Sequence, residues 1–355
     1  MLLKCRSRRF WAVVGGFLVG LGYIGLSFVI RQTVWLMLLM TSLSGFGLSF
    51  LHLITVISLK DTFQDSYPTA YATSSLGTNV GVSLFPLLLE YLNSYYGIQG
   101  GVFVFGAFLW NMIVVGLLIK TTMHREDSTY EEIGEDTGNR LSSLQDSQSH
   151  RICNSLPLQI FSLHPNFIFL FISSVLVEVN FVAWATYLVP YGQFLGYPSY
   201  TAVFLSTIGG VSGLFGKAFV AIIAYHDCLH PINIIVIPSL LIALSYTATF
   251  LLTNFTILAV AASVSGFCIG LQGSGRFSMM GNVVCAKHFN LAVAWSYSGY
   301  TLSALVGGIV TGYVRDVTGS FQYAFSFLVV ICLLETIVGI VWCCLSSIRW
   351  GNNEE

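Results

Sequence analysis

Charge is what this 355-residue chain has least of: Asp, Glu, Lys and Arg together make up 9% of it. A soluble domain carries about 25%, so the deficit excludes an ordinary water-soluble globular enzyme. The 15 basic and 16 acidic residues leave a formal net charge of −1. Without a basic excess there is no face to neutralise nucleic-acid phosphates, so no nucleic-acid partner is expected. Paired cysteines are missing too. Cys5, Cys153, Cys228, Cys268, Cys285, Cys332, Cys343 and Cys344 form no C-x-x-C and keep no regular spacing. They read as small hydrophobes buried in apolar runs, with palmitoylation of the adjacent Cys343 and Cys344 as an alternative. No nucleophile elbow, P-loop or zincin motif occurs. The chain is therefore read as a non-enzyme, with no catalytic residue, cofactor or metal.

What is there is apolar: 55% of the residues are hydrophobic, and mean hydropathy is +0.77. A hydrocarbon core about 30 Å thick needs about 20 helical residues at about 1.5 Å each. Ten stretches qualify, at 10–29, 33–59, 68–92, 100–120, 165–191, 200–225, 231–252, 255–284, 291–314 and 321–345. They are long and continuous, without the alternation of a barrel strand. The expected fold is all-α, a polytopic helical membrane protein with about ten transmembrane helices. The first span is too long for a cleavable signal peptide.

Between 121 and 163 the chain turns polar, with REDSTYEEIGEDTGNRLSSLQDSQSH at its centre. It is too hydrophilic to bury a core and reads as a solvated linker, with regulatory phosphorylation as the sharper alternative. The expected organisation is a four-helix bundle over 1–120, this cytoplasmic loop over 121–163, a six-helix bundle over 164–346 and a tail over 347–355. With a cytoplasmic amino terminus, that side collects Lys4, Arg6, Arg8, Arg9, Lys60, Lys120, Arg125, Arg140, Arg151, Lys287 and Arg349, and the other keeps Arg31 and Arg315. The positive-inside rule then puts both termini inside. The sequon at Asn254 lies in too short an outside loop to expect glycosylation.

Ionisable side chains inside spans are costly and are functional candidates by default. Glu178 lies near mid-span, and Lys217 lies about eight residues from the cytoplasmic end of the next, antiparallel span. An ion pair between them is geometrically reasonable, and so is a snorkelling lysine. Arg276 sits in the cytoplasmic third of a span broken by Gly270, Gly273 and Gly275, where a gate competes with interfacial snorkelling. Glu335 lies mid-span without an evident partner, and Glu90 lies near an outer interface. His226, Asp227 and His230 read as a solvated loop rather than a metal site. Most of the 34 glycines, in runs such as GGVSGLFG and GFCIGLQGSG, are expected to let helix backbones approach closely.

Four segments carry a family resemblance. KCRSRRFWAVVGGFLVGLGYIGLSF is similar to the basic loop and third helix of the monocarboxylate transporters, a group of the major facilitator superfamily. TFQDSYPTAYATSSLGTNVG resembles the signature opening their fifth helix, keeping Phe63, Pro68, Ala70, Gly77 and Gly81 but replacing a basic triplet with Asp65, Ser66 and Tyr67. YLVPYGQFLG, with Tyr187, Pro190 and Tyr191, resembles the family's seventh-helix end. GYVRDVTGSF, with Gly312 and Asp316, resembles its G-x-x-x-D-x-T-G-S-aromatic turn.

The resemblance implies twelve spans, of which the first two would be missing, and a major-facilitator bundle moving a small monocarboxylate or related organic anion. It further implies a proton accompanying that anion in symport, across the plasma membrane, with a single-span accessory membrane protein as a further partner beside the lipid bilayer. The family's eighth helix carries an Asp followed four residues later by an Arg; SGLFGK offers Gly213 and Lys217 there. The ammonium can hold a carboxylate as a point charge, without the bidentate fork of Arg. Lys217, Glu178 and Arg276 are the expected substrate-binding residues, with Glu178 as a relocated proton acceptor. The alternative from another class is a transport-inactive relative acting as a membrane interaction protein.

Overall fold

In hydrocarbon no water is at hand for N–H and C=O groups, so each apolar run must satisfy its backbone within a helix. The computed structural model describes residues 8–119, 159–226 and 230–351, and among them there is no strand. The helices are α1 (Arg8–Val29), α2 (Val34–Phe63), α3 (Tyr67–Ser74), α4 (Leu76–Leu109), α5 (Met112–Leu118), α6 (Gln159–Leu163), α7 (Pro165–Phe194), α8 (Ser199–Tyr225), α9 (Ile237–Leu251), α10 (Phe255–Val283), α11 (Ala286–Thr318) and α12 (Phe321–Gly351). A wide turn over Ile232–Val236 leads into α9.

By length and apolarity alone, eight stretches qualify as spans. Geometry makes the crossings ten. The stretch Tyr67–Leu118, 52 residues long, reverses at Gly97, whose φ of 66° suits a residue without Cβ. Its arms then run back along each other, with the Phe85 and Phe105 rings 5.3 Å apart. The 33-residue α11 is less apolar but lies along α7: a Cβ at Gly307 would come within 2.8 Å of the Val179 carbonyl. Among the described residues four crossings precede residue 120 and six follow residue 158, the same number on each side as the apolar runs of the sequence.

Two boundaries differ from expectation. Lys120 and residues 121–158 of the polar loop, and with them the phosphorylation reading, lie outside the described residues. The loop's last five residues form α6, because Ile160 is an apolar anchor, 1% exposed, in the core beside Phe167. The tail begins later as well, since α12 continues to Gly351. Asp227, like Cys5, Cys153 and Cys228, lies outside the described residues. Of the other cysteines, Cys268 and Cys332 are buried as expected, but Cys285 and Cys344 are exposed and Cys343 is half-buried.

Packing of α8 on α10 rests on bare backbone. A Cβ at Gly266 would collide with the Gly209 carbonyl, and one at Gly270 with that of Gly213. Small residues four apart on facing helices bring the axes together through dispersion contacts, the usual adhesive where lipid removes the hydrophobic drive. The same device joins α1 to α2 at Gly15 and Gly47.

The two groups of helices meet along α4 and α8, where Asn79 Nδ2 donates to the Gly210 carbonyl at 3.3 Å. They meet again at the face holding the start of α1, the end of α2 and the starts of α7 and α11. There one apolar core contains Tyr67, Tyr71 and Ala72 from α3 together with Val220, Phe277, Met280 and Phe289.

Candidate functional site

Between the two groups lies a cavity of about 410 Å³, inside the range of about 300–1,000 Å³ common for small-molecule sites. Its walls come from α2, α3, α4, α7, α8, α10 and α11, and it contains Lys217, Glu178 and Arg276 together. The three residues singled out as substrate candidates therefore share one chamber.

Their surroundings differ from the expected ones in three ways. Lys217 does not snorkel to the interface: it is 8% exposed, and its Nζ donates to the Ser75 carbonyl at 3.0 Å. Nor does it touch Glu178, because the contact ion pairs among the described residues are Arg8 with Asp61 and Arg315 with Asp316. Ser75 lies where α3 breaks into α4, and its carbonyl, off the regular helical ladder, gives the ammonium a closer partner. Glu178 faces the same cavity without a hydrogen bond among the described residues.

Arg276 is not an interfacial residue. It is 1% exposed; its Nε donates to the Gln272 carbonyl at 3.0 Å and its Nη1 to the Ser173 carbonyl at 2.8 Å. Glu335, fully buried, completes the arrangement: its Oε1 accepts from Ser173 Oγ at 3.0 Å and from Gln272 Nε2 at 3.3 Å. The missing partner is thus supplied through residues that also hold Arg276. A buried cation and a buried anion bridged by shared polar groups keep each other's desolvation tolerable.

The rest of the lining was less legible. His52, Tyr71, Asn79, Trp184, Tyr297 and Tyr300 all border the cavity, and His52 sits 5.2 Å ring to ring from Tyr297. The available signal was a histidine and an asparagine inside apolar spans, since polar groups are costly there whether or not they are charged. The aromatics carried none, because ring residues in a span are ordinary.

The motif residues fall into two places. Near the amino-terminal signature, Phe63 is exposed at the end of α2, and the Pro68 carbonyl accepts from Ser278 Oγ at 2.9 Å. Gly77 has open space around it, and a Cβ at Gly81 would meet the Phe85 ring on its own helix. The substituted triplet is structural at Tyr67, which is fully buried, with the Phe289 ring 5.0 Å away and the Lys60 ammonium 5.3 Å from its ring centre. The two later motifs pack on each other. Tyr187 Oη donates to the Gly308 carbonyl at 3.0 Å and lies 2.5 Å from a Cβ placed on Gly312; the Tyr191 ring meets Phe321 at 5.6 Å. Tyr191 Oη also reaches the Thr249 carbonyl at 3.0 Å, three residues beyond Tyr246 on α9. Pro190 lies within α7, and Asp316 pairs with Arg315 at 3.3 Å on the exposed end of α11.

Sequence comparison places relatives around this architecture. Mouse monocarboxylate transporter 12 is 23% identical over 329 residues, 88% of this chain and 67% of that protein. Human monocarboxylate transporter 2 is 24% identical over 322 residues, 88% and 66%. The chain thus spans about two thirds of the length of the curated relatives it matches. Among solved structures, the human organic anion transporter MFSD10 (TETRAN) superposes with a TM-score of 0.65 at 13% identity, covering 95% of this chain and 78% of that one. FucP in its outward conformation gives 0.60 at 16% identity, covering 96% and 84%. These proteins are transporters, not enzymes. Residues 2–244 match the family model for the Major Facilitator Superfamily, and with a multi-pass helical fold built around a central charged cavity, this chain is a member of that transporter superfamily.

Proposed function

We propose that the chain moves a small monocarboxylate or related organic anion by alternating access of the central cavity. The observation that carries this reading is the chamber shared by Lys217, Arg276 and Glu178 between two helix groups. An ammonium with one carbonyl partner retains donors for a carboxylate, and the aromatic walls suit an apolar body behind it. Glu178 is the proton site: a carboxyl facing a chamber with two cations changes charge as an anion enters or leaves, which couples the two movements. The opposing arrangement, an inert relative that only binds other membrane proteins, offers no role for two buried cations bordering one cavity.

Access changes when the Tyr67–Phe289 contact parts at the face carrying the starts of α1 and α7. We assign that face to the cytoplasm, since Arg8, Arg9, Lys60 and Lys287 gather there, and place the protein at the plasma membrane, with a single-span accessory protein as a partner for that placement.

Uptake of radiolabelled monocarboxylates into cells or proteoliposomes tests the reading. Lys217→Ala is expected to lower uptake at least tenfold, about 1.4 kcal/mol of lost interaction. Glu178→Gln is expected to flatten its pH dependence. Equal uptake by Lys217→Ala and the unaltered chain removes the lysine from the substrate path, and an unchanged pH profile removes the proton role.

A further inference from the structure

Away from the cavity, where α7 and α11 begin, three metal-ligating side chains from two distant parts of the chain converge. His164 precedes α7, Cys285 precedes α11, and His288 follows one helical turn later. His164 Nε2 lies 3.1 Å from His288 Nδ1 and 3.3 Å from Cys285 Sγ, and Cys285 Sγ lies 3.7 Å from His288 Nδ1.

A tetrahedral zinc ion, with Zn–N of about 2.0–2.1 Å and Zn–S of about 2.3 Å, sets its ligands about 3.3 Å apart for two nitrogens and about 3.6 Å for nitrogen and sulfur. The observed triangle departs from those edges by a few tenths of an ångström. The backbone holds it in this shape. The His288 N–H donates to the Cys285 carbonyl at 3.0 Å, which closes the first turn of α11 and puts both side chains on one side of it. The His164 N–H donates to the Ile160 carbonyl at 2.9 Å, which ties it to the one buried residue of α6. Cys285 is exposed while both histidines are half-buried, so an ion has a route in and a fourth position open to water.

We propose that His164, Cys285 and His288 form a three-ligand site for a divalent transition-metal ion of the zinc class, clamping the first turn of α11 to the start of α7. Two imidazoles and a thiolate are borderline-soft donors that favour such an ion over magnesium or calcium. The clamped turn carries Phe289, which packs on Tyr67 across the seal. A bound ion therefore stiffens one side of that contact. The site does not depend on the substrate reading, because neither its ligands nor its test involve the cavity.

The test uses the purified full-length chain in detergent with a non-thiol reductant, titrated with cobalt chloride and then with zinc chloride. One equivalent of Co²⁺ is expected to give the visible bands of a tetrahedral ion and a near-ultraviolet thiolate charge-transfer band, both abolished by one equivalent of Zn²⁺. Cys285→Ser is expected to remove the charge-transfer band, and His288→Ala and His164→Asn to weaken Zn²⁺ at least tenfold against a competing chelator. His164→Asn keeps a polar side chain before α7, and retention of a monodisperse, helical protein is checked for each variant. A charge-transfer band that persists in Cys285→Ser, or zinc affinity unchanged in both histidine variants, overturns the assignment, as does the lack of one-equivalent binding by the unaltered chain.

Discussion

The four crossings before residue 120 and the six after residue 158 use the same devices to very different extents. In the first group a small core of Ala12, Val19, Leu51, Ile54, Leu92, Phe105 and Leu109 suffices, and only 17% of the apolar window of α2 is buried, against 56% for α10. The three buried charged side chains among the described residues, Lys217, Arg276 and Glu335, and the cavity acid Glu178 all belong to the second group. The first contributes a carbonyl at Ser75, a histidine, an asparagine and the Tyr67–Tyr71 edge of the apolar core shared by the two groups. One half thus holds the charged chemistry in a tightly packed frame. The other supplies a more loosely packed wall, the half that the proposed alternating access would move.

The largest effect that would sharpen this contrast is expected at Arg276. Arg276→Met takes the cation from the Gln272 and Ser173 carbonyls and from the network they share with Glu335, which costs about 1–3 kcal/mol for each buried acceptor left unsatisfied. Thermal unfolding in detergent reads this as a large fall in Tm; removal of any cation from the first group, such as Arg9, should leave Tm nearly unchanged. Next come the glycines. Gly266→Ala forces α10 off the Gly209 backbone and is expected to cost about 1–3 kcal/mol, whereas Gly45→Ala on α2, with nothing within 4 Å of its Cβ position, is expected to be neutral or slightly stabilising. Equal losses at the two positions would break the comparison. For transport, Lys217→Ala should exceed His52→Ala in effect; the reverse order would move the binding chemistry into the first group. The smallest expected change is Tyr187→Phe, which loses one hydrogen bond to Gly308 and about 0.5–1.5 kcal/mol, measured as a shift of a few degrees in Tm.

Much of the fold was legible because it follows from a one-dimensional rule: apolar length against bilayer thickness. Ten segments follow from it, and the close-packing glycines follow from a second rule, that small residues let helix backbones meet. Residues such as Lys217 and Arg276 were legible as exceptions to the rule. Their partners were not, because helix rotation decides whom a side chain meets. Lys217 found a carbonyl 142 positions away instead of the acid on the neighbouring helix, and Arg276 turned inward to Ser173. Cys285 and His288 look like an ordinary C-x-x-H in a loop until the fold brings His164, 121 residues distant in the chain, to the same point. The reversal at Gly97 was likewise visible only as a dip in hydropathy, since a two-sided turn needs one permissive φ and no polar linker.

That reversal constrains how the protein is made. With the helix resuming directly beyond Gly97, the third and fourth spans form one tight helical hairpin, and insertion of the two as a unit is the expected consequence. Tyr91, Tyr95 and Tyr96, all well exposed beside the bend, are suited to park its tip among the lipid headgroups. A side chain larger than hydrogen at Gly97 would then be felt first during biogenesis, as lost yield of inserted protein.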